Sequence, residues 1–138
     1  MTAGQRIAGF QSESASVNGV RLHYWIGGDA NGPPVLLWHG FLGTAYSWHR
    51  LMPLLVDSGF WILVPDMRGY GDSDKPAGDA GYDSAALAEE FRSLVERIGF
   101  GARRPLTLIA HDMGVPQRCS GPQLIQPRSL HFCTLKRR

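Results

Sequence analysis

Leu106-Thr107-Leu108-Ile109-Ala110-His111-Asp112-Met113-Gly114 is the stretch on which the reading of this 138-residue chain turns. Its first five residues carry no charge and have the length of a strand, and such a run predicts a strand buried on both faces of a sheet. The run leads straight into His111-Asp112, with Ala110 and Gly114 two positions to either side of the acid. Small residues at those places suit a sharp strand-to-helix turn that lifts the middle side chain clear of the sheet and crowds its neighbours. Asp112 is thereby a candidate nucleophile; the plainer role for an aspartate there is a helix cap.

Two more buried-strand runs lie upstream. Val35-Leu36-Leu37-Trp38 ends at His39-Gly40-Phe41, and Trp61-Ile62-Leu63-Val64 is followed by the polar, glycine-rich Asp66-Met67-Arg68-Gly69-Tyr70-Gly71-Asp72-Ser73-Asp74-Lys75-Pro76. Between them Trp48, Leu51, Met52, Leu54, Leu55 and Val56 have helical spacing, and Gly59 stands where a left-handed cap would sit. This predicts a helix of about three turns, distorted locally at Pro53. A second helix is predicted to start at Asp83 or Ser84, to place Leu87, Ala88, Phe91, Leu94, Val95 and Ile98 on one apolar stripe with Glu89, Glu90, Arg92 and Glu96 opposite, and to end at Gly99 and Gly101. Asn18-Gly19, between runs rich in β-formers, predicts an opening hairpin, since both turn positions need positive φ. Strand and helix alternating from Val35 onward make the class α/β: an antiparallel hairpin, then parallel strands with right-handed crossover helices.

Past Gly114 the pattern fails. Cys119-Ser120-Gly121-Pro122 and Gln126-Pro127-Arg128 interrupt any helix where a crossover is due. Residues 1–114 hold 9 Lys+Arg against 12 Asp+Glu, whereas residues 115–138 hold 5 basic residues and no acid, so the net charge of +2 hides two unlike parts. The first reads as a partial core domain and the second as an aberrant, disordered basic tail. A shifted reading frame or misjoined exon between Gly114 and Arg118 is the hypothesis that fits this break. The strand ending at Ala110 is then expected to have an open edge and an uncovered face, which predicts aggregation or molten packing.

Composition excludes several classes. The polar N-terminus has no apolar stretch of signal-peptide length and the other apolar runs are strand-sized, so no membrane span is expected and the cytoplasm is the default. Cys119 and Cys133 have neither metal-ligand spacing nor disulfide-scaffold density and are read as reduced thiols. The basic tail has one aromatic, Phe132, and no basic helical period, which argues against nucleic acid as a partner.

His39-Gly40-Phe41, Asp66 to Pro76 and His111-Asp112-Met113-Gly114, in this order and each after a buried strand, resemble the α/β-hydrolase superfamily, and within it the epoxide hydrolase and haloalkane dehalogenase branch. The resemblance covers about residues 17–116, less than half of a complete member. It implies the N-terminal half of an α/β-hydrolase sheet, no cofactor, no metal, and a small-molecule substrate of the epoxide or haloalkane class. It also implies Asp112 as nucleophile in an elbow whose Ala110 replaces the usual glycine, with the backbone N–H groups of Phe41 and Met113 as oxyanion hole. The histidine base, the triad acid and the cap of the family have no match here, so the chain is expected to be a truncated and inactive form.

An aspartate in the elbow changes the chemistry, because a carboxylate of pKa about 4 is ionised at neutral pH and attacks without a base. It opens an epoxide or expels halide at a saturated carbon, leaving an ester that activated water then hydrolyses. Met113 stands where haloalkane dehalogenases resemble one another in a tryptophan and fluoroacetate-type enzymes in an arginine, which favours the epoxide. His39 and His111 are expected to be structural, and His131 lacks the strand and glycine context of a base. Asp72 and Asp74 have the look of a metal pair but are expected to cap their loop or pair with Arg68 and Lys75, and Asp66 is expected to anchor that loop. Two other classes stay open: a non-catalytic fragment with no function or an interaction role, and a serine-type esterase or carbon–carbon hydrolase with an atypical elbow.

Overall fold

The computed structural model describes residues 6–40, 43–111, 124–125 and 130–135, the last two stretches by their backbone alone. Strands β1 (Phe10–Val17), β2 (Val20–Gly27), β3 (Pro34–Trp38), β4 (Trp61–Pro65), β5 (Leu106–His111), β6 (Leu124–Ile125) and β7 (Leu130–Leu135) form one sheet in the order β1-β2-β4-β3-β5-β7-β6. The hairpin forms at Asn18-Gly19, with φ of 50° and 81° and Val17 opposite Val20. β3 runs parallel to both β4 and β5.

Two helices, α1 (Leu51–Asp57) and α2 (Ser84–Ile98), make the crossovers. From β3 the chain moves outward to β4, and from β4 it moves back across β3 to β5, so crossovers of one hand must put the two helices on opposite faces. They do. Alternate residues Leu36 and Trp38, Leu63, and Leu108 and Ala110 face Leu87, Phe91, Leu94 and Val95 of α2. Val35, Leu37, Ile62, Val64 and Ile109 face the other way, onto Met52 of α1 with Ala45 and Trp48. Both faces of the parallel strands are thus dry, as their unbroken apolar runs required.

α1 differs from its expected extent. Trp48 belongs to a separate 3-10 turn, Ala45–Trp48, and the α-helix spans only 7 residues. Pro53 is the third residue of the helix and so lies in its first turn, where a missing N–H costs nothing and the helix takes it without distortion. Leu54, expected on the apolar side, is 62% exposed. Gly59 has φ +90° and its N–H reaches Val56 O, the left-handed ending expected of it. α2 follows its pattern: the Asp83 carboxylate accepts the Ala86 N–H, and Gly99 ends the helix at φ 71°. Glu90 is the exception on its polar side. It is 4% exposed, and its Oε2 accepts from Nε and Nη2 of Arg68 at 3.0 and 2.7 Å, tying α2 to the loop after β4.

The expectation of an open edge is corrected. β7 pairs antiparallel with β5 from Leu106↔Leu135 to His111↔Leu130, so hydrogen-bonding partners lie along the edge where aggregation was to begin. The described part of the tail, Leu124–Ile125 and Leu130–Leu135, is strand and not disordered, and His131, expected outside any strand, lies opposite Ala110. The rest of residues 115–138 lies outside the described residues. Among the described residues no helix is long and apolar enough to cross a membrane.

Leu63 has no exposed surface and packs between β2 and α2, so Leu63→Ala is expected to destabilise by about 2–5 kcal/mol. The same change at exposed Leu54 is expected to stay within about 0.5 kcal/mol. Urea denaturation of the two variants checks the contrast.

Candidate active site

β3 and β5 are neighbours, with Trp38 opposite Ala110, so the chain leaves the sheet side by side at His39-Gly40 and at His111. From β3 it then turns towards β4 on one side, whereas β5 is flanked on its other side by β7. In open α/β sheets the crevice beyond the carboxyl ends of two strands whose connections diverge is the place for a ligand. The nucleophile Asp112 and the donors Phe41 and Met113 expected from the sequence lie outside the described residues. The described residues are those that lead to and from them in the chain and those that hold these segments.

His39, 1% exposed, is engaged at both ring nitrogens. Nε2 is 3.0 Å from the Met67 N, and since a backbone N–H can only donate, Nε2 must be the bare nitrogen; Nδ1 then carries the proton and donates to Gly40 O at 3.0 Å. Burial pushes its pKa below the ordinary imidazole value, against the Gly40 carbonyl and the charge of Asp66. A neutral ring with no free nitrogen holds a bend and cannot serve as a base. His111, at the end of β5, is exposed.

Asp66, immediately after β4, is an anchor as expected, and a more central one. Its Oδ1 accepts the Ala45 N–H at 2.7 Å, and its Oδ2 accepts from His23 Nδ1 at 2.7 Å and from the Asp72 N–H at 3.1 Å. His23 completes the chain outward, its Nε2 lying 2.7 Å from Ser12 Oγ. Ser73 locks the same corner: its hydroxyl accepts the His23 N–H at 2.9 Å and donates to Asp66 O at 2.8 Å. Gly71, at φ +52°, is needed because any Cβ there would collide with the Asp66 carboxylate. His23 and Ser73 were missed in the sequence. A signal for the first existed: a histidine between Leu22 and Tyr24-Trp25 on a strand is buried, and a buried ring needs partners.

Of the two roles expected of Asp72 and Asp74, capping their loop or pairing with Arg68 and Lys75, the pairing is corrected at Asp74. Asp74 Oδ2 accepts the Arg21 N–H at 2.9 Å, while Arg68 is taken by Glu90 and Lys75 donates to the carbonyls of Gly71 and Ser73. Hydrogen bonding in the style of a strand decides this: Asp74 N–H also reaches Arg21 O at 2.9 Å, so the loop extends alongside β2. Among the described residues His23, Asp66 and Asp72 have ligand atoms within 4.8 Å of one another. The Asp66 oxygens there already take three N–H donors, which do for the carboxylate what a cation would.

Burial alone would raise the Asp66 pKa, but the His23 hydrogen bond and the Ala45 and Asp72 N–H groups hold it below the ordinary value of 3.8. A carboxyl depressed in the folded state contributes stability that is present above its unfolded value and is lost as pH falls through the folded one. Asp66→Asn turns an amide donor towards these N–H groups and is expected to cost about 1–3 kcal/mol at neutral pH. The gap between wild type and variant is expected to close as pH drops below 3.8, measured by urea denaturation at a series of pH values.

Comparison with known proteins agrees with this frame. Residues 33–116 match the family described as alpha/beta hydrolase fold. Epoxide hydrolase A of Mycobacterium tuberculosis is 38% identical over 107 residues, 78% of this chain and 32% of that protein. A fluoroacetate dehalogenase of a Burkholderia species is 36% identical over 109 residues, 77% of this chain and 34% of that protein. The crystal structure of epoxide hydrolase A from Mycobacterium thermoresistibile superposes with a TM-score of 0.69 at 38% identity, covering 76% of this chain and 32% of that one. The chain thus spans about a third of the length of these relatives. With the family match covering more than half of its residues and the sheet order in place, the chain belongs to the alpha/beta hydrolase fold family.

Proposed function

We propose that this chain carries the nucleophile-bearing part of an epoxide hydrolase that works through an aspartyl ester, with Asp112 as nucleophile and the backbone N–H groups of Phe41 and Met113 as oxyanion donors. The observation that supports it is the register of Trp38 against Ala110. It makes the bend after β3 and the turn after β5 emerge as neighbours, as a nucleophile and the donors that serve it must. In the first step an Asp112 oxygen forms a bond to a ring carbon, the carbon–oxygen bond of the epoxide breaks, and the released alkoxide takes a proton from the medium. In the second, water adds to the ester carbonyl, the acyl–oxygen bond breaks, and the diol leaves with Asp112 restored.

The relatives include both epoxide hydrolases and a fluoroacetate dehalogenase. Met113 favours the epoxide, because a thioether has no N–H with which to hold a departing halide. For the second step a histidine must activate water, and three of the described histidines are poorly placed for it. His39 has both nitrogens bonded, His23 is buried between Asp66 and Ser12, and His49 bonds Tyr46 O through Nδ1 and stacks on the Tyr46 ring. With these three rings engaged, residues 1–138 are expected to stall as the ester.

Incubation with a reactive aryl epoxide, followed by intact-mass and peptide mass spectrometry, is expected to show one adduct per chain on Asp112, absent from Asp112→Asn. Steady diol formation by the purified chain would contradict the stalled step, and an adduct on any other residue would contradict the nucleophile. Halide release from fluoroacetate or a haloalkane without reaction with epoxides would reverse the substrate assignment.

A further inference from the structure

The bend that follows β3 is tied at both ends to one short stretch of chain, Asp66-Met67. At its entry the His39 ring accepts the Met67 N–H; at its exit the Asp66 carboxylate accepts the Ala45 N–H. Within the bend, the Gly43 N–H bonds Gly40 O at 3.0 Å and the Thr44 N–H bonds Ser47 Oγ at 3.2 Å, so the exit is stiff up to Ala45. Asp66 has no exposed surface, and its second oxygen is held by His23 and by the Asp72 N–H. Ala45 cannot shift relative to β4 without leaving a buried carboxylate oxygen short of a donor, a state that is costly to reach.

We propose that Asp66 is a positioning residue: by gripping Ala45 it anchors the described exit of the chain that runs from β3 to the 3-10 turn, and so supports the oxyanion donor assigned to Phe41. This rests on the assignment of Asp112 and the oxyanion donors made above. The two chemical steps then respond differently. Attack of a carboxylate on a saturated carbon builds no negative charge on the carbonyl oxygen of Asp112, so the bend contributes little. Attack on the resulting ester drives charge onto that oxygen, and donors displaced by about 1 Å then cost on the order of a hundredfold. His23 acts one step further out, by orienting the carboxylate that orients Ala45.

Asp66→Asn and wild type are compared in two measurements. Amide hydrogen exchange is expected to speed up about tenfold or more at Ala45 in the variant, with the amide of Leu108 in the central strand unchanged. The Asp112 ester, formed with the aryl epoxide, is then challenged with hydroxylamine. Its nitrogen adds to the ester carbonyl, a carbon–nitrogen bond replaces the carbon–oxygen bond, and the alcohol leaves with a proton, so cleavage reports the oxyanion step without needing a histidine base. The adduct is expected to form at the wild-type rate in the variant but to be cleaved about ten- to a hundredfold more slowly, with no such difference after denaturation. Equal cleavage rates in the two folded proteins, or unchanged Ala45 exchange, overturns the proposal. Should neither protein form an adduct, the assignment of Asp112 falls and with it the catalytic consequence, while the exchange data still decide the grip. If Asp66→Asn does not fold, Ala45→Pro removes the N–H at a first helical position that accepts proline, and slowed cleavage with normal adduct formation is expected again.

Discussion

A buried carboxylate with no exposed surface sits where three distant parts of the chain meet, and the end of the sheet is organised around its needs. An ionised carboxyl removed from water is tolerated only if donors replace the water. Asp66 takes them from β2 through His23, from the start of the 3-10 turn through Ala45, and from its own loop through Asp72. None of these segments can be misplaced without exposing the same charge to an apolar interior. The requirement couples the hairpin, the bend after β3 and the loop after β4 into one unit, although 43 residues separate His23 from Asp66.

The layers on either side explain why that unit stays put relative to the strand ends. Side chains of β3, β4 and β5 alternate between α2 on one face and α1 with the 3-10 turn on the other, leaving neither face wet. Close-packed interiors resist sliding, because each shift of a strand opens voids on both sides at once. The strand ends are therefore fixed by packing, and the polar bonds of Asp66 and His39 need only hold the segments that leave the sheet. Arg68 and Glu90 extend the hold sideways, pinning the loop after β4 to α2.

Much of this was legible from the sequence. Period and punctuation give the strands, α2 with its Asp83 cap, the Asn18-Gly19 hairpin and the ordered motifs that mark the family. What was not legible follows from interactions that sequence spacing does not carry. Glu90 lies on the polar side of its helix, and only the guanidinium arriving from a loop 22 residues upstream makes its burial tolerable. Leu54 keeps helical spacing yet faces water, since the 3-10 turn before Pro53 rotates the stripe that α1 presents. The partner of β5 was missed because its strand, Leu130–Leu135, falls in a segment whose composition broke every period before it. His23 and Asp66 are far apart in the chain, and their meeting is a product of strand order alone.

The donors around Asp66 have a consequence for the crevice as well as for the fold. Asp66 follows β4, which β3 separates from β5, whose end leads to the proposed nucleophile. A bare carboxylate near the strand ends would oppose charge building on the ester oxygen of the proposed intermediate, weakening the second step. The alternative, a neutral anchor such as asparagine, could not accept from three donors without turning its own N–H groups against one of them. An ionised carboxylate wrapped by one imidazole and two backbone N–H groups satisfies both demands. It grips Ala45, Asp72 and His23 with charge-assisted bonds, and the dipoles that it grips offset its field at the strand ends.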